Sequence, residues 1–494
     1  MTDNSVRSEK SFPERMAEHD FGPYDFRNDS LTPNDAYRLG KSLSDFYETD
    51  GKIIVGNDHR KHSEPIKDAL IDGLIDYGSE VKYIGLGPTD LVAHQVLSQD
   101  AEGGVAVTAS HMPPEYRGLK PLNKQGRIFD EKELEEALDG YEEFTDTKKN
   151  YNKWLTDLET ENFNDDYSFV KQVHDDYISD AVKRYDELFD SDLSGLSVAV
   201  DPGNGVGSLT LPRLLNGLGV EENDLYIVNQ DLDPEFPGRG SDPTDTDLQQ
   251  LKNTVDNQGA DLGIALDGDA DRAVFVNENA EKVLGDESLA ILSAKYLEEA
   301  PDMEEMPGIV CSANTSQLLE DWITGERDDI GPLGTVNYQP VGAVFTAKTA
   351  LYDKNIVFGG QPNGHLLDPE FVPYDSGTLT AGMMAGVISE NNELSQLQDE
   401  LPSYNISKTN WEVDDKQKAM KALKQQFNTL DTHGVHRADI TKEKVMEATG
   451  ANDKILFRPS GNEPVIRITL ERRSQSEMLE QLTQSVDQVL EEDE

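Results

Sequence analysis

The chain is short of positive charge. Its 494 residues hold 44 Lys and Arg against 96 Asp and Glu, a net charge of −52. That balance argues against nucleic acid and anionic membranes as partners, because their phosphates would be repelled. Cysteine is nearly absent: only Cys311 is present, so no disulfide can close within the chain, and a reducing compartment is expected. It lies in the apolar run Gly308-Ile309-Val310-Cys311 and reads as a buried small hydrophobe. No apolar run approaches the ~20 residues of a membrane helix. The polar N-terminal segment lacks the apolar stretch of a signal peptide. The expectation is a cytoplasmic protein with no membrane partner.

What remains is enough for a folded protein. The hydrophobic fraction is 36%, and the acid is spread among regular apolar strands rather than held in one tail. This reads as a folded protein with an acidic, halophilic type of surface. At roughly 100–200 residues per domain, the length suits three or four domains.

Short apolar runs alternate with helical patterns, an α/β signature. Strands are expected at 52–56, 81–85, 104–108, 197–200, 225–228, 262–266, 273–276, 309–311 and 356–358, with a helix over 64–77. Towards the end, strands at 454–457 and 465–470 flank a loop, and a helix closes the chain. A polar stretch over 141–166, a turn near Gly285 and Pro402 mark boundaries, dividing the chain into 1–166, 167–285, 286–401 and 402–494. Strands running into polar turns at 107–110, 200–203 and 310–313 are a loose echo of three related α/β units. In such sheets, sites form beyond the carboxyl ends of strands.

Four loops carry candidate chemistry. Asp267-Gly268-Asp269-Ala270-Asp271-Arg272 places carboxylates at alternate positions, hard oxygen ligands suited to Mg²⁺ or Ca²⁺. An EF-hand is rejected, since its sixth position requires Gly and here is Arg272, and a strand follows instead of a helix. A solvated acidic turn is the plainer alternative; the adjoining Arg272 favours a metal site that also meets a phosphate. Thr108-Ala109-Ser110-His111-Met112-Pro113 follows an apolar strand, with Gly118 and Lys120 beyond it. Ser110 could cap a helix. It lacks the Gly-x-Ser-x-Gly elbow of acyl transfer, and a phosphoryl acceptor beside a metal loop fits better. Arg458-Pro459-Ser460-Gly461-Asn462-Glu463-Pro464, with Arg467 in the next strand, supplies guanidinium forks and free amides for an oxyanion. Gly359-Gly360-Gln361-Pro362-Asn363-Gly364-His365 could bond sugar hydroxyls, with His365 moving a proton; a plain turn explains it equally. Asp25 with Arg27, and Asp58 with Arg60, are each compatible with a surface ion pair worth little.

In this order, the segments resemble the α-D-phosphohexomutase family of phosphomannomutases and phosphoglucomutases. Thr108–Pro113 is similar to its T-A-S-H-N-P, Asp267–Arg272 matches D-G-D-A-D-R, Gly359–His365 resembles G-G-E-x-S-G-H, and Arg458–Pro464 resembles R-P-S-G-T-E-P. Tyr24–Arg27 is similar to Y-D-I-R near the start of several members. The resemblance implies three related α/β domains and a smaller C-terminal α+β domain around a central cleft. It implies that phosphorylated Ser110 gives its phosphoryl group to a hexose 1-phosphate, and that the bisphosphorylated sugar turns over and returns the other group. Ser110, Asp267, Asp269 and Asp271 would hold Mg²⁺. Arg272 would stabilise the transferring group, Lys120 and His365 would be acid and base, and Arg27 and His111 would complete the catalytic set. Gly360, Gln361 and Asn363 would bind the sugar; Arg458, Ser460, Gly461, Asn462 and Arg467 would grip the non-reacting phosphate. Hexose 1,6-bisphosphate would serve as activator and intermediate, with glucose or mannose phosphates as substrates. A silent sugar-phosphate binder and a Mg²⁺-dependent phosphatase are the competing readings. Met112, Arg117, Gln361, Asn363, Asn462 and Asn28 depart from the family pattern.

Overall fold

The computed structural model describes residues 15–16, 18–19, 21, 25–47, 50–144, 167–244, 246, 248–325, 331–391, 393–413, 415–416, 418–420, 429–432, 435–439, 454–459 and 465–472. The chain divides into two compact units. One comprises residues 1–283 and 364–395, the other 284–363 and 396–494. The expected helix at the end of the chain, most of the polar stretch over 141–166, and Tyr24 lie outside the described residues.

The first unit contains two sheets. β1 (Phe26–Asn28), β2 (Lys52–Asn57), β3 (Glu80–Leu86), β4 (Gly103–Val107) and β5 (Arg117–Asn123) lie in the order β1-β5-β4-β2-β3. β2 is parallel to β3 and β4, and the helices Ser63–Asp76 and Thr89–Ser98 make the crossovers. Ile53–Val55 and Val105–Val107 are buried throughout, as strands covered on both faces require. β5 runs antiparallel to β4 and places Lys120 opposite Ala106. The sequence reading had no strand here: Arg117, Lys120, Pro121 and Asn123 break the apolar pattern. Arg117 donates to the carbonyl of Leu31 at 2.8 Å, and Pro121 accepts from the amide of Phe129 at 3.1 Å.

The helix Pro33–Phe46 starts at Thr32, whose hydroxyl and the Asp35 carboxylate cap each other's backbone amides, with Pro33 at the first helical position. Beneath it Phe46, Tyr47 and Phe129 meet with ring centroids 4.6–5.7 Å apart. Tyr47 and Phe129 are buried and Phe46 partly so; a fully buried ring stabilises the core by about 1.5–3 kcal/mol.

The second sheet holds β6 (Val198–Asp201), β7 (Leu225–Ile227), β8 (Leu262–Leu266) and β9 (Ala273–Val276), in the order β7-β6-β8-β9. β8 and β9 form an antiparallel pair, and the loop joining them is Asp267–Arg272. The chain returns to this unit with the helix Gly377–Asn391.

In the second unit, β10 (Gly308–Ser312) lies between β11 (Thr335–Gln339) and β12 (Ile356–Gly360), parallel to both. Cys311 is buried in β10. The C-terminal part is an antiparallel sheet whose strands lie in the order Asn405–Glu412, Val465–Arg472, Lys454–Pro459, Val435–Asp439, Thr429–Thr432. The chain is thus α/β, with α/β units followed by a smaller antiparallel C-terminal domain. Among the described residues, no helix is long and apolar enough to cross a membrane.

Candidate active site

The loops after β4 and β8 meet in the first unit. Ser110 ends the β4 turn with φ 54°, in the left-handed region, which costs a non-glycine residue about 1–2 kcal/mol. Its Oγ donates to Oδ2 of Asp267 at 3.3 Å and lies 3.4 Å from Nδ1 of His111. Asp267, Asp269 and Asp271 are at most 1% exposed. One carboxylate oxygen from each falls within 4.8 Å of the others.

Three buried acids need countercharge. Lys120 Nζ donates to Oδ2 of Asp269 and Oδ2 of Asp271, each at 2.7 Å. Burial pulls its pKa down, but Asp269 and Asp271 outweigh burial and hold it above the ordinary lysine value. The acids divide. Burial, Asp271 and Asp269 push Asp267 well above the carboxylate range. Asp269 and Asp271 are lowered despite their burial: Lys120 acts on both, Thr89 also on Asp269, His365 and Arg272 also on Asp271. Full ionisation of the loop is therefore opposed at Asp267, and a further cation would favour it. Oδ1 of Asp269 and Oδ1 of Asp271 are buried without a hydrogen-bond partner. Unsatisfied hard oxygens in a cluster of this size suit a small divalent cation such as Mg²⁺.

The cations surround the serine. Arg272 Nη2 donates to His111 Nδ1 at 2.8 Å, and its Nε donates to His365 Nε2 at 2.9 Å. Burial, Arg272 and Arg27 push His111 down to about 3, so its ring is neutral. Arg27, in β1, pairs with buried Asp25 at 2.6 Å and reaches the carbonyl of Ala109 at 3.5 Å. This pair is anchored in the site, not spread on the surface. The Asp58–Arg60 pair also differs from the surface reading: both side chains are at most 1% exposed.

The structure thus brings together Ser110, His111, Lys120, Arg27, Arg272, His365 and the three aspartates. Gly360, Gln361 and Asn363 lie in the second unit, where Gly360 ends β12 and Gln361 is 4% exposed. Arg458 and Arg467 are register partners on adjacent strands there. Ser460, Gly461 and Asn462 lie outside the described residues.

Several neighbours were not read from the sequence. Thr89 donates to Oδ2 of Asp269 at 2.6 Å from the start of a helix. Tyr374 donates to Oδ2 of Asp271 at 3.1 Å, and Asp375 Oδ2 lies 2.9 Å from Nδ1 of His365. Pro88-Thr89-Asp90 and Tyr374-Asp375-Ser376-Gly377 look like ordinary helix entries, and nothing local to them signals a site.

Family models for phosphoglucomutase/phosphomannomutase match in sequence order: α/β/α domain I over residues 19–147, domain II over 175–281, domain III over 285–404, and the C-terminal domain over 409–488. The chain belongs to the phosphoglucomutase/phosphomannomutase family. A phosphoglucomutase/phosphomannomutase of Thermococcus kodakarensis is 32% identical over 469 residues, 94% of this chain and 96% of that protein. A protein of Methanopyrus kandleri described as a probable phosphoglucosamine mutase is 34% identical, across 92% of this chain and 94% of its own length. A crystal structure of a phosphoglucomutase/phosphomannomutase family protein from Burkholderia thailandensis shares the fold, with a TM-score of 0.72 at 20% identity, covering 95% of this chain and 96% of that one. This family member is a phosphohexomutase, an isomerase that acts by moving a phosphoryl group.

Proposed function

We propose that the protein interconverts hexose 1-phosphate and hexose 6-phosphate, with glucose or mannose as the sugar and Ser110 as phosphoryl carrier. The observation that carries this reading is Ser110 Oγ beside a buried carboxylate cluster that already needs a cation. Ser110, Asp267, Asp269 and Asp271 would hold Mg²⁺, which when bound would neutralise charge on the transferring phosphoryl group.

The protein's own groups account for the rest. In the first transfer the sugar 6-oxygen forms a bond to phosphorus as the phosphorus–Oγ bond breaks; the hydroxyl proton of the sugar passes to a base and Oγ takes a proton. After the bisphosphate turns over, Oγ gives its proton to a base and re-forms its bond to phosphorus, the bond to the 1-oxygen breaks, and that oxygen takes a proton. Lys120 and His365 are the proton-moving groups. Arg272 and Arg27 place positive charge on the transferring group, and neutral His111 leaves the serine loop uncrowded by further charge. Phosphoryl transfer of this kind depends chiefly on position and charge. Gly360, Gln361 and Asn363 would bind the sugar, and Arg458, Ser460, Gly461, Asn462 and Arg467 the other phosphate. Hexose 1,6-bisphosphate would prime Ser110. We assign domains to 1–166, 167–285, 286–401 and 402–494, a cytoplasmic location, and a halophilic surface on the net charge of −52.

A glucosamine phosphate is the second reading. The relative from Methanopyrus kandleri carries that name, and Gln361 stands where the family's sugar loop has Glu. The test is a ³¹P NMR time course with Mg²⁺ in concentrated KCl, a trace of the 1,6-bisphosphate, and glucose, mannose or glucosamine 1-phosphate. Growth of a 6-phosphate signal, absent in Ser110→Ala, is expected, and relative rates rank the sugars. Inorganic phosphate as the product would replace the mutase with a phosphatase. No conversion of any sugar would leave a silent binder.

A further inference from the structure

Arg60 belongs to a turn that the chemistry above leaves unused. It follows β2, and its side chain is 1% exposed. Nη2 donates to the carbonyls of Ser110 and Met112, the latter at 2.7 Å, and Nη1 donates to that of Pro113 at 2.7 Å. Nε donates to Oδ2 of Asp58 at 3.1 Å. The same carboxylate oxygen accepts from Thr108 Oγ1 at 2.7 Å, and Thr108 Oγ1 in turn accepts from the amide of Ser110 at 2.8 Å. The guanidinium also lies over the Phe236 ring, 4.8 Å from its centroid. Side chains thus hold both the N–H and the C=O of Ser110, a non-glycine residue at φ 54°.

A left-handed residue persists only where its surroundings over-determine it. Here the determinants converge on Asp58: one arm passes through Thr108 to the amide, the other through Arg60 to the carbonyls. One planar fork serves three carbonyls, which a lysine with its single nitrogen does not reproduce.

We infer that Arg60, anchored on Asp58 and acting with Thr108, is a positioning residue that fixes the direction of Ser110 Oγ and so sets the rate of phosphoryl transfer to and from it. The inference rests on Ser110 being the phosphoryl carrier. Arg60 acts through the backbone of the serine loop. A residue that only stabilises the fold would alter melting without altering the rate per folded molecule. A positioning residue lowers that rate while leaving the capture of substrate nearly intact, because displacement by about 1 Å can cost about 10²-fold.

The experiment uses dephosphorylated full-length enzyme and glucose 1,6-bisphosphate. It follows phosphorylation of Ser110 by rapid quench and intact mass, corrected for the folded fraction, with steady-state kcat and KM measured alongside. Arg60→Lys is expected to slow phosphorylation and kcat by about 10²-fold, and Thr108→Val by about 10-fold, with KM for the hexose 1-phosphate changed less than about 3-fold. Thr108→Val is close to isosteric and decides the matter if Arg60→Lys does not fold. Folded variants that phosphorylate within about 2-fold of the wild-type rate would overturn the inference. A wild-type enzyme that takes no phosphoryl group on Ser110 would remove the carrier reading and this inference together. The wild-type arm therefore separates the two failures.

Discussion

Nζ of Lys120 stands 2.7 Å from Oδ2 of Asp269, and the two are joined across 149 residues of chain. The lysine supplies the cationic charge against which Asp269 and Asp271 are buried. Lys120→Met therefore leaves carboxylates facing one another, which is costly in a dry interior. We expect kcat to fall by about 10²-fold or more, and Mg²⁺ to raise the melting temperature more in the variant than in wild type. Equal Mg²⁺ shifts in paired melting curves would show that Lys120 does not offset the charge of the triad.

Burial, Asp271 and Asp269 raise the Asp267 carboxyl well above the usual carboxylate range. A divalent ion requires the carboxylate, so its binding opposes protonation of Asp267. Titrating Mg²⁺ into dephosphorylated enzyme should release protons, and more of them per site as the pH is lowered. Calorimetry in buffers of different ionisation enthalpy measures it. No buffer dependence even at the lowest pH would contradict a raised Asp267.

Arg272 Nε can only donate, so His365 Nε2 accepts from it, and the other ring nitrogen, Nδ1, lies 2.9 Å from Oδ2 of Asp375. Asp375→Asn removes the negative charge beside that nitrogen. A fall in kcat of about 10²-fold with KM little changed is expected, read from steady-state kinetics. A proportional rise in KM instead would make Asp375 part of substrate binding.

Gly118 leaves room for the stem of Arg27. A Cβ there would collide with Cγ of Arg27 and come within 2.8 Å of the Thr108 carbonyl oxygen. Gly118→Ala should cost about 1–3 kcal/mol in urea unfolding and also lower kcat, since Arg27 must move. Unchanged activity in the folded variant would show that Arg27 need not sit where it does.

Asp90 is pushed up to about 7 by burial, against the hydrogen bonds it accepts from Ser376 and Tyr177. Unfolded, it titrates near 3.9. Between these values the folded state holds a proton that the unfolded state lacks. Its contribution is complete below about pH 4 and is lost as pH rises through 7, at up to about 1.4 kcal/mol per pH unit. The stability of wild type relative to Asp90→Asn should therefore fall from pH 5 to 7 in denaturant titrations. A flat difference would mean that Asp90 is ionised in the fold.

What could be read in the sequence follows from distance along the chain. The aspartates of the β8–β9 loop announce themselves because alternate carboxylates sit within six residues, and Ser110 because its turn follows an unbroken apolar strand. The core strands were legible for the same reason. Thr89 and Tyr374 carry no local mark: their partners lie 180 and 103 residues away. Lys120 was found, but its strand was not, because Pro121 interrupts the pattern on which a strand is recognised. Asp58 and Arg60 looked like an exposed pair because nothing near them in sequence says that a guanidinium will be covered by backbone carbonyls.

The first unit is interrupted by residues 284–363 before it is completed by 364–395. His365, Tyr374 and Asp375 all arrive with that returning piece. During translation the serine and aspartate loops emerge first, and must wait while the intervening segment is made. At roughly 5–20 residues per second, the delay between Ser110 and Asp375 is on the order of ten seconds to a minute. In that interval the serine is joined first by the acidic loop and only later by the imidazole and phenol that face that loop, so the order of residues along the chain keeps the site unfinished until most of the polypeptide has been made.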